Sequence, residues 1–348
     1  MNLISTASAD ERKNRMKARI MIIAAVLALS ACAGKANSSE MEKPELAASL
    51  SEDREAVRED IINSEYDNLI FAGDFSVSYP ASAAVYEMKP VQDMDKNADK
   101  LFACYFGEYD PSAAVKNEYD TQLETDERFA LITPQGSICV SEKSVLNRVL
   151  FGTGINYLST EIFDQSSSAD EKYKTGSEKL INEVTAAVRF PNKLEPYSYS
   201  VQTLDDGTQA VTVHNRMIVG GLPVFDLVPA SSDFGLEIAE LTPSVCNFTD
   251  ASEAKQFTVG QGFEEMSSEP CEVMTPEAAM DLTGEKLSAY AQWEVRREEL
   301  MLIPMYTDSS RSTIRLSPYW VIWFCTDWWH ESFAAVNAVT GEVYYSEI

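Results

Sequence analysis

One of the two histidines in the chain lies among residues that could hold a ligand. His330 follows Trp328 and Trp329, with Asp327 before them and Glu331 after them. Aromatic rings beside an imidazole and two carboxylates can bind a ligand or a protein partner, because large aromatic side chains dominate binding surfaces. The alternative is that the two tryptophans cover the end of a sheet. Trp328, Trp329 and His330 are therefore candidate binding residues.

Other residue patterns that support chemistry are not found in the sequence. His214 lies in an alternating pattern, which predicts a hydrogen-bonded side chain on a strand. The acidic residues at 93–99 begin like a calcium loop, but Ala98 and Cys104 stand where that loop requires glycine and a bidentate glutamate. The motifs of zinc hydrolases, nucleophile elbows and phosphate-binding loops are absent. We expect no catalytic residue, no metal and no cofactor.

The amino-terminal residues have the composition of an export signal. Five basic residues within 12–19 precede an apolar run from Ile20 to Leu29. That run is too short to cross a bilayer as a helix, which takes about 20 apolar residues. A basic segment followed by a short apolar core is typical of a signal peptide. The next residues, Leu29-Ser30-Ala31-Cys32, resemble the lipobox of bacterial lipoproteins.

In that class of protein, the cysteine becomes the lipidated first residue of the mature chain. The resemblance implies that residues 1–31 are removed and that Cys32 carries the lipid. Residues 32–59 are small, polar and charged at their start, which predicts a tether. Met16 is an alternative start of the chain. We expect a cell-membrane location, lipid-anchored on the extracytoplasmic face.

The charge of the chain excludes one class of partner. Residues 1–31 carry a net charge of +3, so their removal changes the formal charge from −27 to −30. A protein this acidic repels phosphate backbones, and we therefore expect no binding to nucleic acid. It also repels anionic headgroups, which leaves the lipid as the expected membrane attachment.

The remaining cysteines are odd in number, so at least one is predicted to be free or to pair with another chain. Cys246 and Cys271 flank one polar segment and are a candidate disulfide, which an extracytoplasmic compartment permits. The alternative is that these thiols are buried and pack as small apolar groups. The five cysteines beyond the lipobox are Cys104, Cys139, Cys246, Cys271 and Cys325.

Residues 60–165 predict an amino-terminal α+β domain of unknown type. A helix is expected around Glu52 to Asn63, before an alternating strand from Phe71 to Tyr79. A further strand is expected from Ala84 to Lys89, and a hairpin over residues 129–140. The polar stretch Asp164 to Gly176 predicts the domain boundary.

The second half of the chain predicts the same order of elements twice. Residues 177–250 begin with an amphipathic helix that is followed by strands. Residues 270–348 begin at Thr275, a helix N-cap before Pro276, and continue into four strands. The strand over 319–326 is apolar on both faces, which predicts a central position. The expected fold is α+β, with repeated units of one helix packed on an antiparallel β-sheet.

Two motifs carry a family resemblance. Pro318-Tyr319-Trp320, followed by Thr340-Gly341-Glu342-Val343, resembles the end of a PepSY domain, although Asn337 stands where that family usually has Asp. Gly221-Leu222-Pro223-Val224 resembles a segment of YycH/YycI-type regulatory domains. The resemblance covers residues 177–348 and implies two PepSY-like units.

Two functions remain open from the sequence. The resemblance implies a non-catalytic regulatory module that binds a protein partner at the cell surface, such as a protease or a sensor kinase. The alternative is a surface binder of a small ligand, such as a peptide or glycan, at Trp328, Trp329 and His330. We do not expect an enzyme, because no residue pattern indicates a reaction.

Overall fold

The structure is a computed structural model that describes residues 45–144, 157–162, 168–203, 209–226, 238–239, 241–242, 244–249, 253–287, 292–327 and 330–347. These residues belong to one compact unit, Pro44–Ile348. None of the helices in the described ranges is both long enough and apolar enough to span a membrane. The predicted signal peptide, Cys32 and the start of the tether lie outside the described residues.

The secondary structure of the described residues is dominated by strands. The helices are α1 Arg54–Asn63, α2 Ala98–Phe106, α3 Ser168–Val188 and α4 Pro276–Lys286, with short 3-10 turns at Met94–Asn97 and Pro111–Ala113. The strands are β1 Leu46–Ala47, β2 Leu69–Ser78, β3 Ala83–Pro90, β4 Val115–Lys116, β5 Thr121–Glu124, β6 Arg128–Ile132, β7 Ile138–Glu142, β8 Tyr157–Ile162, β9 Lys193–Thr203, β10 Gln209–Val219, β11 Leu222–Pro223, β12 Ser244–Thr249, β13 Gln256–Val259, β14 Phe263–Cys271, β15 Val273–Met274, β16 Trp293–Tyr306, β17 Ile314–Asp327, β18 His330–Asn337 and β19 Val343–Glu347.

Local signals in the sequence explain where two of the helices begin. The Asp53 side chain accepts a hydrogen bond from the backbone three residues on, and Val57 and Ile61 then bury one face of α1. The Thr275 side chain caps α4 in the same way, with Pro276 at the first helical position. Both predicted helix starts are confirmed to within two residues.

Ten of the described strands form one antiparallel sheet. Its order is β4-β5-β6-β7-β13-β12-β10-β9-β8, with β11 paired to β10. Helices α2 and α3 pack on this sheet and on each other. They bury a core of aliphatic and aromatic side chains that includes Leu101, Phe102, Val184 and Phe257. The predicted hairpin over 129–140 is confirmed as β6 and β7.

A second sheet contains seven of the described strands. Its path runs β14-β3-β17-β16-β2, while β18 pairs with the far end of β17 and β19 pairs with β18. All pairs are antiparallel except β16 with β2, which run parallel. Helices α1 and α4 cover one face, and Trp320, Ile322 and Phe324 of β17 are buried against that side. Val321 and Trp323 are buried on the opposite face, so the predicted central position of this strand is confirmed.

The two sheets are joined directly. The segment after β11 makes a parallel bridge from Val224 to Leu302, and the N–H of Phe225 donates to the Leu302 carbonyl at 2.9 Å. Arg216 of β10 forms an ion pair with Glu299 of β16 at 2.5 Å. Because each of these contacts joins one sheet to the other, the two sheets pack together within one unit.

The expected fold of repeated helix-on-sheet units is wrong. The molecule is mostly β, with two large sheets and few helices among its described residues. Strands of the amino-terminal half enter both sheets, because β2 and β3 belong to the seven-stranded sheet and β4 to β7 to the ten-stranded sheet. Periodicity reveals a strand but not its neighbours, and these pairings join residues far apart in the chain.

The sheets also cross the domain limits expected from the sequence. Residues 60–165 supply strands to both sheets, and the ten-stranded sheet draws on residues 60–165 and 177–250 together. Helix α3 begins at Ser168, inside the polar stretch that predicted a boundary. A helix can carry such polar residues because its solvent-facing side tolerates them.

Candidate functional site

The predicted aromatic binding tip lies mostly outside the described residues. Trp328 and Trp329 fall in an undescribed range. His330 begins β18, where its backbone pairs with Asp327 of β17. The structure therefore shows only that Asp327 and His330, on either side of the two tryptophans, pair at the ends of β17 and β18.

The candidate disulfide is not formed. Cys246 and Cys271 are both free, as are the other cysteines of the described residues. Cys246 is buried in the core of the ten-stranded sheet, whereas Cys271 ends β14 in the seven-stranded sheet. The chain between them forms β13 and most of β14, which separates the two thiols. Burial raises the pKa of the Cys246 thiol to about 12, so it remains protonated and packs as an apolar group.

His214 takes the hydrogen-bonded role predicted for it. Its Nε2 lies 3.3 Å from the hydroxyl oxygen of Ser200 on the neighbouring strand β9. Burial lowers the pKa of His214, which favours the neutral ring at pH 7. A neutral, half-buried histidine paired to a serine on an adjacent strand is a structural group. The acidic residues at 93–99 likewise form a 3-10 turn that leads into α2.

A buried carboxyl that the sequence did not single out lies in the centre of the seven-stranded sheet. Glu298 of β16 has no exposed surface, and neither of its carboxyl oxygens has a hydrogen-bond partner among the described residues. Burial raises the pKa of Glu298 well above its ordinary value, and the charges of Glu277 and Asp281 on α4 raise it further. The Tyr79 hydroxyl on the same side of the sheet is also buried without a partner in the described residues. The folded protein therefore favours the protonated, neutral form of the Glu298 carboxyl over its charged form.

A small cavity lies where the chain passes from one sheet to the other. Its volume is about 30 Å³, and Asn215, Ser244 and Asp226 line it together with apolar side chains. Burial raises the pKa of Asp226 to about 6, while the nearby charge of Arg216 lowers it. A space of this size holds about one water molecule, far less than the 300 Å³ or more of typical ligand pockets. The cavity is too small to be a ligand site.

The longest exposed stretch of strand in the described residues lies in β14. It forms one end of the seven-stranded sheet, where it pairs with β3 alone among the described strands. Every residue from Glu264 to Pro270 is exposed. Such a long strand with one free side is unusual, because unpaired backbone groups readily pair with another chain. We call β14, together with Glu87 and Lys89 of β3, the acidic edge.

On the free side of the acidic edge, the described backbone hydrogen-bonding groups are satisfied or missing at the two ends of β14 and unpaired between them. The N–H of Phe263 donates to Asn192 Oδ1 at 2.8 Å, and Asn192 Nδ2 donates to the carbonyl of Phe263 at 3.0 Å. A side-chain amide thus supplies the two bonds that a neighbouring strand would make. At the other end, Pro270 has no N–H to donate. From Glu264 to Glu269, the described backbone hydrogen bonds go only to β3.

The side chains of the acidic edge give it a negative charge. Its carboxylates are Glu87, Glu264, Glu265 and Glu269, and within this set the only cation is Lys89. Lys89 lies 3.6 Å from Glu264, and both side chains are about half exposed. An exposed ion pair of this kind contributes about 0–1 kcal/mol and leaves the neighbouring carboxylates uncompensated. The edge therefore attracts cations.

A groove with a volume of about 400 Å³ runs beside the acidic edge. Pro90 and Met266 form its apolar lining, and Glu264, Lys89, Gln92, Ser312 and Thr313 form its polar lining. The last two belong to the turn between β16 and β17, which Asp308 stabilises. The Asp308 carboxylate accepts hydrogen bonds from the hydroxyls of Ser310, Ser312 and Thr313 at 2.5 to 3.0 Å, which lowers its pKa. The groove wall is therefore preorganised.

Sequence reasoning missed this surface, although the segment carries a signal. Residues 263–271 combine acidic residues with Pro270 and do not alternate. Charged residues and proline are features of edge strands, since they hinder pairing with further copies. Its polarity predicts a connecting segment. Polar and apolar residues alternate along a strand only where one face of the strand is covered.

The comparisons with known proteins bear on the fold alone. Neither the known protein families nor the curated proteins give a match to this chain. Among solved structures, the chain is similar to an uncharacterized protein from Eubacterium rectale, determined by crystallography at 1.45 Å resolution. The TM-score is 0.57 at 14% sequence identity, over 82% of this chain and 98% of that chain. This likeness supports the two-sheet fold.

Proposed function

We propose that this chain is a lipoprotein, anchored at the extracytoplasmic face of the cell membrane, that binds a protein partner without catalysing a reaction. The observation that carries the proposal is the acidic edge. It offers a nine-residue strand with a free side, uncompensated carboxylates and an adjacent groove. These are properties of a surface that pairs with another chain.

The charge of the protein makes the anchor important to this function. The expected mature charge of −30 repels anionic headgroups, so the lipid on Cys32 holds the protein near its partner. Confinement to one surface raises the effective concentration of the binding partners, which allows a modest interface to be occupied.

Affinity purification from chemically cross-linked membranes tests the proposal. The full chain is compared with Cys32→Ala and with the double variant Glu265→Lys/Glu269→Lys. We expect the wild type to capture a discrete membrane protein, and Cys32→Ala to leave the membrane fraction and lose it. A Cys32→Ala protein that stays at the membrane would contradict the anchor, and a wild-type protein that captures nothing would contradict the binding function.

A further inference from the structure

We infer that the acidic edge binds an extended, lysine- or arginine-rich segment, which joins β14 as an additional strand of the seven-stranded sheet. This inference rests on the proposed function and specifies the chemistry of the partner.

The backbone of β14 favours a strand as the occupant. Asn192 already makes both hydrogen bonds of a neighbouring strand at Phe263, and Pro270 ends the run of N–H donors. The stretch between them, Glu264 to Glu269, presents backbone groups to its free side, with the alternation interrupted by a bulge at Met266 between Glu265 and Ser267. A segment of about six residues would satisfy them by β-augmentation.

The charge of the edge selects a basic segment. Glu265 and Glu269 are exposed and have no ion pair among the described residues, whereas Glu264 has Lys89. Glu264 and Glu269 lie opposite Lys89 and Val85 of β3 and therefore share one face, whereas Glu265 lies opposite Met88 and belongs to the other face. Basic side chains spaced two residues apart on an added strand fall on one face, where they meet Glu264 and Glu269, and a basic residue at an intervening position would meet Glu265.

The groove suits the side chain of a lysine or arginine. Pro90 and Met266 offer apolar surface to the aliphatic stem, and Glu264, Ser312 and Thr313 offer acceptors to its charged end. Lys89 also lines the groove, so an entering basic side chain competes with the Lys89 ammonium for Glu264. Long basic side chains bind in this way, with the stem on apolar surface and the head beside polar groups.

The same charges exclude a second copy of the protein. Two acidic edges brought together would place carboxylates opposite one another, which is destabilising. Edge charges are a device against self-association, and here they leave the edge open to partners of opposite charge.

The test uses a fluorescent peptide of alternating lysine and threonine with the folded full-length chain. Three control peptides carry glutamate in place of lysine, proline in place of threonine, or methylated backbone nitrogens on the pairing side. Binding is followed by anisotropy, and hydrogen exchange reports on the amides of Glu264 to Ser268.

We expect the lysine peptide to bind and to slow exchange in β14, and the three control peptides to bind at least about tenfold more weakly. Glu265→Lys/Glu269→Lys should weaken binding about tenfold, because it reverses two charges at the contact. The matched variant Glu118→Lys/Glu285→Lys changes two exposed glutamates elsewhere and should alter it less than about twofold.

Equal binding of the methylated peptide, equal weakening by the two double variants, or unchanged exchange in β14 would each overturn the inference. These outcomes are distinct from failure of the proposed function. A membrane partner that Glu265→Lys/Glu269→Lys captures as well as the wild type overturns only the inference, whereas absence of any partner overturns the function.

Discussion

The ten-stranded and seven-stranded sheets end in different ways. One end of the ten-stranded sheet is β4, two residues long, where Lys116 forms an ion pair at 2.6 Å with Asp95 of the 3-10 turn Met94–Asn97. The seven-stranded sheet ends at β14, nine residues long and exposed along almost its whole length. A short, ion-paired edge offers little to another chain, whereas a long acidic edge offers backbone and charge together. We therefore propose that the protein binds its partner through the seven-stranded sheet.

Their interiors differ as well. The core of the ten-stranded sheet is built from aliphatic and aromatic side chains, with Phe257 and Val140 at its centre. The centre of the seven-stranded sheet includes the unpartnered carboxyl of Glu298 and the Trp320 side chain, whose Nε1–H donates to the Met274 carbonyl at 3.0 Å. Among the described residues, the sheet that carries the exposed edge contains the buried carboxyl groups, Glu298 and Glu299, whereas the buried polar side chains of the ten-stranded sheet are uncharged.

The largest expected effect comes from Trp320→Ala. Removal of this fully buried ring should lower the free energy of unfolding by about 3–5 kcal/mol, and the unpaired Met274 carbonyl should add about 1 kcal/mol. The control is Phe257→Ala in the other sheet, which loses a buried ring but no hydrogen bond. Urea denaturation measures both variants. A larger loss of unfolding free energy in Phe257→Ala than in Trp320→Ala would contradict the proposed difference between the two cores.

Glu298 makes the stability of the protein depend on pH. Because its pKa is raised in the folded state, the folded chain holds a proton that the unfolded chain loses above about pH 4.5. The associated stability is fully present below that pH and is lost as pH rises through the folded pKa, by at most about 1.4 kcal/mol per pH unit for one proton.

Glu298→Gln should remove the part of the stability that depends on protonation of Glu298. The free energy of unfolding should therefore fall less steeply with rising pH than in the wild type. Denaturation at a series of pH values measures the slope. Glu285→Gln, at an exposed position of α4, is the control for loss of any one carboxyl. Parallel slopes for wild type and Glu298→Gln would show that this buried acid does not couple folding to protonation.

The smallest effects distinguish the two edges. Lys89→Ala removes the cation from the acidic edge and Lys116→Ala removes one from β4, and each should cost less than about 1 kcal/mol of stability. Only Lys89→Ala should tighten binding of the lysine peptide, by about twofold, since it leaves Glu264 uncompensated. Anisotropy titrations measure this. Equal changes in both variants would indicate a general charge effect.

The sequence predicts local elements well and their assembly poorly. The caps at Asp53 and Thr275 and the two apolar faces of β17 are local signals, and the structure confirms them. The prediction of repeated units was wrong because residues more than one hundred positions apart pair in the sheets, as in the parallel pairing of β2 with β16 and the pairing of β7 with β13. No local pattern encodes such neighbours.

The candidate site depended on the same distant pairings. The exposure of β14 follows from its position outside β3, which only the assembled sheet reveals. Glu298 does not stand out in the sequence, because β16 also contains Glu294, Arg296, Arg297 and Glu299, and its burial depends on α4 and β2. By contrast, the segment at Cys32 that resembles a lipobox is contiguous, and the prediction that Cys32 carries a lipid can therefore be made from sequence alone.

Site-specific photo-cross-linking in intact cells tests the binding surface most directly. A photoreactive residue replaces Met266 on β14 or Val115 on β4, two side chains of nearly equal exposure at 55% and 54%. We predict that the photoreactive residue at position 266 cross-links to a discrete protein partner and that the one at position 115 cross-links to none. A partner that cross-links from position 115, or equally from both positions, would contradict the assignment of binding to the acidic edge.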